Sequence, residues 1–268
     1  MSDSIRVGLI GYGYASKTFH APLIAGTPGM TLAAVSSSDA TKVHADWPTV
    51  PVVSEPKHLF NDPDIDLIVI PTPNDTHFPL AKAALEAGKH VVVDKPFTVT
   101  LSQARELDTL ARSLGRVLSV FHNRRWDSDF LTVKRLLSEG TLGEILFFES
   151  HFDRFRPQVR HRWREQAGPG SGIWYDLAPH LLDQAVNLFG LPVSMTVDLA
   201  QLRPGAQTTD YFHAVLSYPQ RRIVLHGTMV AAAESARYII HGTRGSYVKF
   251  GLDPQEDRLK SGERLPQE

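Results

Sequence analysis

Five short aliphatic runs fall within the first 120 residues, at positions 5–10, 31–35, 65–70, 89–93 and 116–120. Val, Ile and Leu follow one another there without polar alternation, so each strand must be covered on both faces. Segments of helical spacing lie between them, at 15–25, 76–87 and 101–114. The last two stop at Gly88 and Gly115, residues suited to closing a helix. Strands alternating with helices predict an α/β fold with a doubly wound parallel sheet.

The pattern changes near His122. A helix is expected over 127–138, an alternating strand over 145–155, and a loop rich in Arg, Gly and Pro over 157–172. A further helix falls within 173–189, followed by strands at 194–202, 211–218, 221–229, 237–241 and 246–250. Short links such as Tyr218-Pro219-Gln220 imply an open, mainly antiparallel sheet. A chain of 268 residues suits two domains. The predicted boundary lies at 121–124, giving a Rossmann domain over 1–121 and an α+β domain over 122–268. The polar tail from Asp253 is expected to lack regular structure.

With no cysteine, disulfides, thiol nucleophiles and Cys-based zinc sites are excluded. A formal charge of -1 offers nothing to capture nucleic acid or an anionic membrane. The start, Met1-Ser2-Asp3-Ser4, lacks a basic leader, and no apolar run is long enough to span a bilayer. The expected location is the cytoplasm, with a small molecule as the partner.

Gly11-Tyr12-Gly13-Tyr14-Ala15-Ser16 follows the first strand and opens a helix. It matches G-x-G-x-x-G with Ser in the third place. The first glycine makes the tight turn, the second admits a pyrophosphate, and the helix supplies free N–H groups. The plainer reading is a glycine-rich strand–helix turn. After the second strand comes Ser36-Ser37-Ser38-Asp39, then Lys42. Hydroxyls and a cation suit a ribose 2′-phosphate, which predicts NADP, while Asp39 keeps NAD open. The alternative is a serine loop capping the next helix.

Pro71-Thr72-Pro73-Asn74-Asp75-Thr76-His77 follows the third aliphatic run, at the edge where open α/β sheets bind ligands. Asn74 and Thr76 can reach ribose or phosphate, or they can cap the following helix. Asp94-Lys95-Pro96 follows the fourth run. A lysine at this edge can touch cofactor and substrate alike, or simply snorkel to solvent. The Lys95–Pro96 bond is of the kind that can be cis. Asp176 and His180 are four apart and share a helix face. Pro179 is tolerated near a helix start, which predicts that both occupy a first turn. An imidazole with an ordinary pKa of about 6.5 can take a proton from an alcohol. Otherwise Asp176 is an N-cap and His180 a core histidine. Basic and aromatic residues cluster at His122-Asn123-Arg124-Arg125-Trp126, at Arg154 and Arg156, and at His161-Arg162-Trp163-Arg164. They read as a polyol or cofactor lining, or singly as surface arginines.

Taken together, Gly11–Ser16, Thr72-Pro73-Asn74, Asp94-Lys95-Pro96, Trp163-Arg164 and Asp176 with His180 resemble the Gfo/Idh/MocA oxidoreductases. The stretches 121–127 and 175–180 resemble more narrowly the NADP-dependent scyllo-inositol dehydrogenase branch. The resemblance implies Lys95 as catalytic lysine, Asp176 as substrate-orienting acid and His180 as acid/base. It implies cofactor contacts from Gly11, Tyr12, Gly13, Ala15, Ser36, Ser37, Lys42, Thr72, Pro73, Asn74, His77, Asp94, Lys95, Trp163 and Arg164. Asn123 joins Lys95, Asp176 and His180 on the substrate, in a cleft between domains, and no metal is expected. The implied reaction is hydride transfer between NADP(H) and a secondary alcohol or ketone of an inositol-like polyol or sugar. Assembly as a homo-oligomer, a dimer through the C-terminal sheet, is also implied. Asp94 stands where the family more often has Glu. The chain stops at Glu268, short of the family's usual length, so an exposed sheet edge is expected. Two alternatives on this fold are a non-catalytic cofactor sensor and a hydrolase that uses NAD for transient oxidation.

Overall fold

Aliphatic runs become strands where both of their faces find apolar cover. In the computed structural model, which describes residues 4–263, this gives β1 (Ile5–Ile10), β2 (Met30–Ser36), β3 (Val52–Val53), β4 (Leu67–Ile70), β5 (His90–Asp94) and β6 (Leu118–Phe121). They form one parallel sheet in the order β3-β2-β1-β4-β5-β6. Val7, Leu9, Val35 and Ala21 belong to one apolar cluster, and Ile10, Ile68, Ile70, Val91 and Leu107 to another. The neighbours Leu9 and Ile10 thus serve opposite faces. Around the sheet run α1 (Ala21–Gly26), α2 (Ala40–Asp46), α3 (Pro56–Phe60), α4 (His77–Glu86) and α5 (Leu101–Ser113). A reciprocal cap opens α5: the Gln103 N–H donates to Thr100 Oγ1, and the Thr100 N–H to Gln103 Oε1, both at 3.3 Å. The strand order reverses between β1 and β4, the place where such sheets bind ligands beyond their carboxyl ends.

The second unit runs from His122 to Asp253. It contains α6 (Ser128–Ser138), β7 (Ile145–Asp153), α7 (Gly172–Phe189), β8 (Ser194–Ala200), β9 (Tyr211–Ser217), β10 (Arg222–Thr228), β11 (Ala236–Gly242) and β12 (Ser246–Phe250). The sheet order is β12-β11-β7-β10-β9-β8. Every pair is antiparallel except β7 with β10, which is parallel. Ile173, Leu177, Leu181 and Ala185 of α7 share one core with Phe148, Phe212, Leu225 and Ile240 of the sheet.

Two expectations need correction. Pro179 lies well inside α7, so Asp176 and His180 are not in a first turn. An interior proline costs about 3 kcal/mol. Burial of the apolar face of α7 on both sides of Pro179 offsets that cost. The tail is not irregular throughout, because α8 (Gln255–Lys260) forms there. Its acidic first turn and basic last turn suit the helix dipole, and Lys260 Nζ stands 2.9 Å from Glu256 Oε1 one turn back. Pro254 to Glu263 group with the first unit, although the domain expected over 122–268 included them. The tail beyond residue 263 lies outside the described residues. Among the described residues, no helix is long and apolar enough to cross a membrane.

Candidate active site

At the carboxyl end of β1 the chain turns at Gly11, whose φ of +81° favours a residue without Cβ. A Cβ placed on Gly13 would meet nothing within 4 Å, so its backbone borders open space. That space is a pocket of about 350 Å³. Gly11, Tyr12 and Gly13 line one side, and Ser36, Ser37 and Lys42 another. Two glycines beside a helix start leave room for a pyrophosphate, so the residues present fit a dinucleotide. Ser16, in the third position of the fingerprint, is buried and donates its hydroxyl to the Gly11 carbonyl at 2.8 Å. That bond closes the turn where a third glycine would only have allowed close packing. Ala15 lies next to it, in the first turn of the helix, which continues as a π-helical segment, Ser16–His20. Asp39 caps α2, accepting the Lys42 N–H at 3.3 Å, and its other oxygen stands 3.5 Å from Lys42 Nζ.

Beyond β4, the Thr76 hydroxyl donates to the Pro73 carbonyl at 2.7 Å. Its single proton is then spent, so it accepts from Thr72 Oγ1 at 2.6 Å. Asn74 is buried in this turn. His77 departs from its expected place at a cofactor surface. It is fully buried, with Nδ1 2.8 Å from the Pro96 carbonyl and Nε2 2.9 Å from the Thr72 carbonyl. His77 therefore joins the turns after β4 and β5 and presents no ring nitrogen to a ligand.

Beyond β5, Asp94 Oδ1 accepts the Lys95 N–H at 2.7 Å, and the Lys95–Pro96 peptide is cis. The other Asp94 oxygen stands 3.5 Å from His20 Nε2, and the buried His20 ring lies 4.3 Å from that of Phe121. Burial pushes the Asp94 carboxyl up. The close approach of His20, with the Lys95 charge and N–H, outweighs this and holds it below the usual carboxylate range. Sequence reading missed His20. Its signal is faint: a histidine on the apolar face of the helix that follows the glycine turn.

In the second unit, α7 carries Asp176 and His180 one turn apart. Asp176 faces two arginines, with Oδ2 3.7 Å from Arg154 Nη1 and Oδ1 3.5 Å from Arg164 Nε. The Arg164 guanidinium lies 4.4 Å from the Trp163 ring centre. The structure thus brings Trp163, Arg164 and Asp176 together. Their loop is pinned by a buried ion group, in which Arg203 meets Asp210 at 2.9 Å and Glu165 at 3.1 Å. Arg203 also donates to the carbonyls of Arg156 and Gln158. His180 is buried, its ring 6.1 Å from Phe152, and the Arg237 guanidinium stacks 4.1 Å from Phe152. Asn123 opens a short 3-10 turn, Asn123–Trp126. Arg125 holds that turn to α7 by donating two hydrogen bonds to the Asp183 carboxylate at 2.7 and 2.6 Å, and Gln184 does so by donating to the Arg124 carbonyl at 2.9 Å. Arg125, expected in a ligand lining, has its guanidinium engaged by the Asp183 carboxylate.

Comparison with known proteins adds an independent view. Residues 5–122 match the Gfo/Idh/MocA model described as an oxidoreductase family, NAD-binding Rossmann fold, and residues 134–268 match its C-terminal alpha/beta domain. The chain is 88% identical over 268 residues to YdgJ of Escherichia coli K12, an uncharacterised oxidoreductase, covering 100% of this chain and 78% of YdgJ. It is 41% identical to IolW of Bacillus subtilis, a scyllo-inositol 2-dehydrogenase (NADP(+)), over 98% of this chain and 73% of IolW. The solved structure of YPO2259 from Yersinia pestis gives a TM-score of 0.95 at 73% identity, covering 100% of this chain and 76% of that one. A glycine turn at the head of a parallel sheet, matched across both units, makes this chain a member of the Gfo/Idh/MocA family and an NAD(P)-dependent oxidoreductase.

Proposed function

We propose that the protein moves a hydride between NADP(H) and a secondary alcohol or ketone of a cyclic polyol or sugar of inositol type. The observation that carries the cofactor choice is the wall of the 350 Å³ pocket, where Ser36, Ser37 and Ser38 stand with Lys42. Hydroxyls and a cation favour a ribose 2′-phosphate, and the one acid among the lining residues, Asp39, is occupied as a helix cap. The polyol class rests on the similarity to IolW, a scyllo-inositol 2-dehydrogenase.

Gly11, Tyr12, Gly13 and Ala15 would hold the pyrophosphate, Ser36, Ser37 and Lys42 the phosphorylated ribose, and Thr72, Pro73, Asn74 and Asp94 the nicotinamide half. When bound, the cofactor supplies the hydride acceptor or donor. In the oxidative direction His180 takes the hydroxyl proton, and Lys95 polarises that oxygen. Asp176 orients the substrate with Asn123. Arg154 and Arg164 hold the Asp176 carboxylate in place, and His20 and Asp94 hold Lys95.

An absorbance screen at the nicotinamide band, with both cofactors and a panel of cyclic polyols and sugars, tests the reading. Turnover with a cyclic polyol and a higher kcat/KM for NADPH than NADH are expected. His180→Ala should lower kcat by about 10²–10⁴-fold with NADPH affinity unchanged. NADH preference would overturn the cofactor choice, and unchanged turnover would remove His180 from the mechanism.

A further inference from the structure

Side chains alternate along β7. Phe148 and Phe152 belong to the core shared with α7, so Glu149, His151 and Asp153 face the opposite side of the sheet. On the parallel neighbour β10, His226 pairs directly with His151 and so shares that face. His151, Asp153 and His226 each offer one ligand atom, all within 4.8 Å of one another. Among the described residues this is the one group of three or more His, Cys, Asp or Glu with that spacing. The side chains are mostly withdrawn from water, at 16%, 8% and 16% exposed.

The bonding inside the group is uneven. Asp153 Oδ1 is buried and makes no hydrogen bond, yet it stands 3.6 Å from His226 Nε2. On the other side, Asp153 Oδ2 is 3.0 Å from His151 Nδ1. Two ligands bound at about 2.0–2.1 Å to a tetrahedral zinc ion stand roughly 3.4 Å apart, close to the 3.6 Å between Asp153 Oδ1 and His226 Nε2. Glu149 Oε1 accepts from His151 Nε2 at 2.7 Å. A carboxylate on the far nitrogen fixes the tautomer and frees Nδ1 to ligate, the usual support of a metal-bound histidine. Two imidazoles and one carboxylate suit zinc-type ions, whereas calcium and magnesium take oxygen ligands.

We propose that His151, Asp153 and His226 bind one divalent first-row transition-metal ion of the zinc type, on the sheet face opposite α7, with Glu149 orienting His151. The ion would tie β7 to β10 across the one parallel pair of the sheet. It takes no part in the proposed hydride transfer, so its test is independent of that reading.

The test is titration of the chelator-treated full chain with Co²⁺ alone, read by visible ligand-field absorption, followed by displacement with Zn²⁺. One equivalent per chain is expected, with a rise in Tm on adding Zn²⁺. Asp153→Asn and His226→Ala should abolish the band. Glu149→Gln should weaken binding about 10- to 100-fold. His213→Ala, directly opposite His226 on β9, should leave stoichiometry and affinity unchanged. Circular dichroism checks that each variant is folded. Less than one equivalent on the wild-type chain overturns the proposal whatever the variants do. A band that survives in folded Asp153→Asn and His226→Ala, or falls equally in His213→Ala, also overturns it.

Discussion

A carboxylate buried at the start of α6 shows how much one residue can weigh. Asp127 is 5% exposed, and Arg124 Nη1 reaches it at 3.3 Å. Burial, with Asp129 and Asp253 close by, outweighs that arginine and pushes its carboxyl up to about 6. An acid whose folded pKa is raised stabilises the fold while protonated. That contribution is present below the ordinary pKa near 4 and is lost as pH rises through about 6. Asp127→Asn should therefore grow more stable relative to wild type between about pH 4 and pH 6. The gap should level off near 2–3 kcal/mol above that range. Denaturant unfolding across pH checks this, and a constant gap would contradict it. At this scale the sequence was readable where chemistry and position coincide. Lys95 follows an aliphatic strand, and Asp176 and His180 stand one helical turn apart. His20 beside Asp94, Arg154 beside Asp176 and the buried seat of His77 were not readable, because each depends on a partner distant in the chain.

Elements were legible where their pattern is strong. The short aliphatic runs became strands because apolar residues dominate them, and α5 kept its expected span to within a residue because its period repeats over 13 residues. The elements α3 and β3 have too few residues to show a period and went unseen, and α2 entered only as the helix that the serine loop could cap. Pro179 misled because burial along α7 outweighs a local preference. The Arg-, Gly- and Pro-rich segment 157–172 shows the opposite dependence. It has little regular structure beyond a 3-10 turn, Trp163–Glu165, and takes its shape from Arg203. Removing one partner from a buried ion group leaves charges unpaired, at a cost of about 3–5 kcal/mol. Arg203→Ala should lose that much in denaturant unfolding, and kcat/KM should fall as Arg164 and Asp176 lose their support. A loss under about 1 kcal/mol would show that the loop holds itself.

The molecule as a whole is two units threaded by one chain that leaves the first and later returns to it. Hydrophobic pattern told the two sheets apart, since one has continuous apolar strands and the other alternating ones. The return was illegible, because α8 is polar and its place depends on residues near the other end of the chain. Its clearest link is the Tyr14 hydroxyl, which donates to Glu256 Oε1 at 3.0 Å. Tyr14→Phe removes one exposed hydrogen bond and should cost about 1 kcal/mol or less. Deleting the chain from Pro254 onward should cost more and raise the KM for the nicotinamide cofactor, since Tyr14 lies within the glycine turn. Equal thermal midpoints for the deletion and Tyr14→Phe would show that this single bond is all the segment contributes.

That return has a consequence in time. A ribosome adds residues at about 5–20 per second, so Glu256 emerges on the order of ten seconds after Phe121. In between, the whole second unit is made. The unit that is begun first gains this contact only after the second unit has been made, and the tyrosine of its glycine turn waits all that time for its partner.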